Sequence, residues 1–132
     1  MTEQRPVKVA IIGAGMSGLC MAIKLQDAGI EFDPALVVQG EFSFDSGMQA
    51  ARMLLDLEAP PTAIFAANDY MAAGVVRVAL ERGLSIPAEL SVCGFDDIPI
   101  AHQIFPALTT VRQPAREMGA SAGTQAQAVG NI

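Results

Sequence analysis

The chain has no tryptophan, one histidine, one tyrosine, two cysteines and only eight Lys and Arg among its 132 residues. Each shortage excludes something. The few basic residues are scattered among fourteen acidic ones for a net charge of −6, so no basic stripe exists to neutralise phosphates along a duplex, and direct nucleic-acid binding is not expected. The single histidine, His102, has no Ser or Cys near it in a nucleophile setting, and no metal-ligand spacing accompanies it. Neither catalysis nor a bound cofactor is expected. Cys20 and Cys93 lie inside apolar runs and read as reduced core thiols, which suits a cytoplasmic setting. Hydrophobic runs of membrane-spanning length are also missing. The charged opening MTEQRPVK leads to a short apolar stretch that stops at a Gly-rich turn, so neither a signal peptide nor a membrane span is expected.

What is present is a 52% hydrophobic, 17% charged chain of a length that buries one aliphatic core, read as a single domain over 1–132. Val7 to Ile12 is short, apolar and β-branched, the pattern of a strand covered on both faces. Met16 to Ala28 follows with Leu19, Met21, Ala22, Ile23 and Leu25 at helical spacing and Gly29 as its stop. Ala35 to Gln39 and Met48 to Leu57 form a second βα unit. Thr62 to Ala67 leads through Asn68-Asp69 into a helix over Tyr70 to Arg82. Leu90 to Gly94 is a fourth strand, Pro99 to Ile104 a short helix, Leu108 to Val111 a fifth strand and Pro114 onward a last helix, with a frayed tail over 124–132. This alternation predicts a three-layer, doubly wound α/β sandwich of about five parallel strands, order 2-1-3-4-5, with Val7 to Ile12 between the strands at Ala35 and Thr62.

The first βα connection, Gly13-Ala14-Gly15-Met16-Ser17-Gly18, is a GxGxxG element between a strand and a helix. Gly13 would permit the tight turn, Gly15 the approach of a diphosphate, and Gly18 close packing of helix on strand, with helix N–H groups offering anion affinity. The same glycines also suit a tight turn with no ligand. The segment VKVAIIGAGMSGLCMAIKLQDAGIEFD resembles the first βα unit of flavin-dependent monooxygenases of the Baeyer-Villiger type, which in that family holds the FAD pyrophosphate. The pattern departs from that family at Asp33, which is followed by Pro34-Ala35-Leu36 with no acid where the ribose carboxylate would stand.

Beyond it, FDPALVVQGEFSFDSG, PTAIFAANDYMAAGVVRVALERGLSIP, ELSVCGFDDIP and FPALTTVRQP are similar, in order and spacing, to the carboxyl-terminal lobe of sugar- and purine-responsive repressors of the lac repressor type, a periplasmic-binding-protein-like lobe. That resemblance assigns Phe42 as an aromatic plate under an effector ring, Asn68 and Gln113 as amide contacts and Asp96 as a carboxylate for ligand hydroxyls or N–H groups. Each residue has a structural alternative: Asn68 or Asp69 as a helix cap, Phe42 as core, Asp96-Asp97 as an Asx turn. The resemblance also implies a homodimer through Met71 to Val78 and Ile100 to Phe105. Two families meeting at a βα boundary, 1–33 and 34–123, read as an engineered chimera with no selected activity, with loose packing around Met16, Met21 and Met53. The alternatives are a sugar-, purine- or anion-binding module and an FAD- or NAD-binding fragment.

Overall fold

The computed structural model describes residues 6–13 and 15–130. Its sheet is parallel, in the order β2-β1-β3-β4, with β1 at Val9–Ile12, β2 at Val37–Val38, β3 at Ala63–Ala66 and β4 at Ser91–Cys93. As the apolar run predicts, β1 is interior: Ile11 pairs with Val37 on one side and with Phe65 on the other. All four of its residues are buried. Alternation divides them between two cores. Ala10 and Ile12 join Ile64 and Ala66 beneath the helices α2 (Phe44–Leu55) and α3 (Asp69–Glu81), whereas Val9 and Ile11 join Phe65 and Leu25 beneath α1 (Met16–Asp27).

Helices α2 and α3 form the tightest layer. Ser43 and Ser46 close a capping box at the start of α2, and Arg82–Asp56 and Arg52–Glu81 ion pairs join the two helices at their far ends. Two glycines set their separation. A Cβ on Gly47 would stand 2.2 Å from the Met71 carbonyl oxygen, and one on Gly74 2.3 Å from that of Phe44. This close crossing explains why Ala72-Ala73-Gly74-Val75-Val76 is apolar around the helix: every one of these residues is buried within the chain, Ala73 at 2% exposure. The excess of apolar residues on α3 is therefore core packing and not evidence of a partner.

Several local expectations are corrected. The second strand starts later, because Asp33 accepts the Ala35 N–H and caps a 3-10 turn over Pro34–Leu36. The fifth strand is reduced to two parallel bridges, Cys93 with Thr109 and Asp96 with Arg112. On α1 only Gly18 and Leu25 are buried; Leu19 and Ile23, expected to face the core, are exposed, and so is Cys20. Met16 and Met53 are exposed and fill no internal gap. A short helix, α4, spans Ile100–Gln103, and the last helix, α5, runs over Ala115–Gly130, past Thr124, where the sequence predicts the start of a frayed tail. Residues 131 and 132 lie outside the described residues.

Candidate functional site

The carboxyl ends of the strands open into a cleft of about 530 Å³. Phe42, Asn68, Asp96 and Gln113, each assigned from a different stretch of sequence, all line it, together with Gly15. The parallel sheet brings them there, since every βα connection emerges at the same edge.

Each residue is held differently. Asn68 is buried and fully engaged: its side-chain oxygen accepts the Met71 N–H and caps α3, while its amide donates to the Phe42 carbonyl at 2.9 Å. The cap alternative is thus present, and the same side chain pins the backbone of Phe42. Phe42 sits in the left-handed region at φ 56° and is 58% exposed, so the core alternative does not hold. Asp96 is also left-handed, at φ 110°; its N–H donates to the Val111 carbonyl, and Gln113 donates its amide to Oδ1. Its Oδ2 accepts no hydrogen bond from the described residues. The cleft thus brings together an aromatic ring, a carboxylate and an amide, and Arg112 also lines it.

Two aspartates outside the expected set build this arrangement. Asp69, fully buried, accepts the Ile98 N–H through Oδ2 and the Thr110 hydroxyl through Oδ1. Asp97, at φ 58°, accepts from Arg112 Nε at 2.6 Å through Oδ2 and lies 2.8 Å from His102 Nε2 through Oδ1. Arg112 first, then His102, hold its carboxyl below the usual carboxylate range. The sequence signal for both is the Asn-Asp and Asp-Asp pairs themselves, in which the resemblance assigns a role only to the first member. His102 accordingly braces a loop.

The glycine loop has packing reasons for two of its members. Gly13 adopts φ 97°, and a Cβ on Gly18 would lie 1.9 Å from the Gly13 carbonyl oxygen. Gly15 is the N-cap residue before α1 and supplies no side-chain cap. Ala14 lies outside the described residues. Cys20 lines the cleft, and Cys93 is half-buried with its thiol pushed up by burial and by the Asp69 charge. Among the described residues, no group of three His, Cys, Asp or Glu could hold a metal ion, and no helix is long and apolar enough to cross a membrane.

Residues 19–129 match the family described as periplasmic binding protein-like domain. The chain belongs to that family. Among curated relatives, the periplasmic binding protein-like segment is similar to the HTH-type transcriptional regulator DegA of Bacillus subtilis, with 46% identity over 73% of this chain and 28% of the relative. Among solved structures, a regulatory protein of the LacI family from Chloroflexus aggregans superposes with TM-score 0.77 at 37% identity, covering 86% of this chain and 43% of that one. A transcriptional regulator CelR–cellobiose complex does so with TM-score 0.77 at 34% identity, covering 89% and 38%. This periplasmic binding protein-like chain therefore spans under a third of the curated relative's length and under half of each solved one.

Proposed function

We propose that this domain is an effector-binding module of a transcription regulator, taking a small polar molecule with a ring, a sugar or a purine compound, in the cleft at the strand ends. The observation that carries this reading is the convergence of Phe42, Asp96 and Gln113 on one cleft in a chain of the periplasmic binding protein-like family. An aromatic face stacks against a sugar or base, while a carboxylate and an amide read hydroxyl or N–H donors without reacting with them. The cellobiose of the CelR complex is a molecule of that type. The module is not an enzyme, works in the cytoplasm, and carries no DNA contact of its own. Calorimetric titration with hexoses, pentoses, nucleosides and purine bases tests the proposal: one class should bind, and Asp96→Asn should weaken it about tenfold, the worth of one charge-assisted hydrogen bond. Equal affinity in the variant would remove Asp96 from the site.

The engineered chimera, and with it an FAD- or NAD-binding fragment, is supported only by the wording of residues 7–33 and is the weaker reading. Self-association keeps one specific observation in its favour. Phe105 is 89% exposed, although its companion stretch on α3 is core. Sedimentation of Phe105→Ser against the unaltered chain tests whether that ring is an interface.

A further inference from the structure

Phe42 is strained and uncovered at once. Its φ of 56° lies in the left-handed region, where a bulky side chain is a genuine outlier, and its side chain is 58% exposed. The other left-handed non-glycine residues among those described, Asp96 and Asp97, are of a type that tolerates this conformation. Burial therefore does little to offset the strain at Phe42, and neither does the usual contact at a helix entry. Phe42 immediately precedes the N-cap Ser43, and an apolar residue in that place ordinarily packs on the fourth residue of the helix. In α2 that residue is Gly47, which has no side chain to offer. Phe42 lines the strand-end cleft instead, and its ring reaches toward the start of α1: a Cβ on Gly15 would lie 3.9 Å from Cζ.

What holds the strained backbone is a pair of helix caps. Ser46 Oγ accepts the N–H of Glu41 at 3.1 Å and that of Ser43 at 3.3 Å, so it bridges the two residues that flank Phe42, while the Ser46 N–H donates to Ser43 Oγ and closes the capping box of α2. From the other side, Asn68 Nδ2 donates to the Phe42 carbonyl at 2.9 Å, with Oδ1 taken by the Met71 N–H at the start of α3. Asn68 is buried, so water does not replace these bonds easily. Gly40 lets the loop come this close: a Cβ there would collide with the Met71 sulfur. The side chains that cap α2 and α3 are thus the ones that clamp residues 41–43.

Backbone strain that its surroundings over-determine, on a side chain with little packing to offset it, points to a role in the cleft that the ring lines. We propose that Asn68 and Ser46 are the positioning residues of that cleft: they fix the backbone of Phe42 before any ligand arrives, so that a ring-bearing effector meets a preset aromatic surface and less freedom is lost on binding. This rests on the effector-module reading. It gives Asn68 a task beyond any direct contact of its amide with a ligand.

Substitutions at Asn68 separate the clamp from the cap. Asn68→Ser keeps an oxygen for the Met71 N–H, since serine caps a helix about as well as asparagine, and removes the amide that reaches Phe42. In backbone nitrogen relaxation of the ligand-free chain, order parameters at Phe42 and Ser43 should be about 0.85 in the unaltered protein and fall below about 0.6 in the variant, while Met71 stays near 0.85. Unchanged order at Phe42 would overturn the proposal. So would a joint fall at Phe42 and Met71, which would make Asn68 a cap and nothing more. Ser46→Ala should loosen residues 41–43 with Met71 unmoved, and it decides the matter where Asn68→Ser does not fold.

Glucose and adenosine are then titrated by calorimetry into the same chains. A probe that binds the unaltered protein should bind Asn68→Ser several-fold more weakly, and that loss should shrink when Phe42→Ala is already present, because both changes then remove one shared contact. An equal loss in the two backgrounds would overturn the positioning role. Binding of neither probe would count against the effector module alone, and the order parameters, read without ligand, then decide the clamp.

Discussion

The Thr110 hydroxyl donates to Asp69 Oδ1 at 2.6 Å across 41 residues of sequence, tying the start of α3 to the bridged segment after β4. The other oxygen of Asp69 receives the Ile98 N–H at 2.9 Å. One fully buried side chain thus ties the loop after Asp97 and the bridged segment to the start of α3. Asp69→Ala strands a hydroxyl and a backbone N–H together and should cost about 3 kcal/mol, while Thr110→Val should cost about 1.5 kcal/mol. Urea unfolding of the two variants checks the order; a smaller loss for Asp69→Ala would mean that the tie is dispensable.

Acid should loosen the outer loop through Asp97. Its carboxyl is held below the usual range by Arg112 and then His102. A depressed folded-state value contributes stability that is present above the ordinary carboxylate pKa of about 4 and is lost as pH falls through the lower folded value. The unaltered chain should therefore lose more of its urea midpoint between neutral pH and pH 3 than Asp97→Asn does. Parallel pH profiles would contradict this.

Gly74→Ala tests the helix crossing. The added Cβ would meet backbone atoms of Phe44 and Met48, at 2.3 and 2.8 Å, which cannot move aside as a flexible side chain would. A loss of about 2 to 3 kcal/mol is expected from overpacking. Thermal unfolding would expose an error here if the variant melted with the parent.

Ala73→Glu separates core from interface on α3. Because Ala73 is 2% exposed, a glutamate there buries a charge with no partner, and the variant should fail to fold. A folded variant with intact helical circular dichroism and a changed oligomeric state would restore α3 as an interface.

The parts legible in the sequence are those in which one physical signal dominates. The unbroken apolar run of β1 admits only an interior strand, and the strand-turn-helix grammar puts Phe42, Asn68, Asp96 and Gln113 at the same sheet edge. Composition alone cannot tell a helix wrapped by its own chain from one facing a partner, so the α3 surplus points to a dimer until the Gly47–Gly74 crossing is seen. Apolar spacing on α1 overstates its burial, because Leu19 and Ile23 sit on a helix that touches the sheet mainly through Gly18 and Leu25. The Asn-Asp and Asp-Asp pairs point to Asp69 and Asp97 but do not say what they do, because their partners, Thr110 and Arg112, arrive from another segment.

The most direct test of the effector-module account is a nuclear magnetic resonance titration of the isotopically labelled chain with the sugars, nucleosides and purine bases named above. The account predicts that one class shifts the signals of Phe42, Asp96 and Gln113 together, saturably, while those of Asp56 and Arg82, paired at the far ends of α2 and α3, stay in place. No saturable shift at millimolar ligand, or shifts that avoid all three residues, would contradict it.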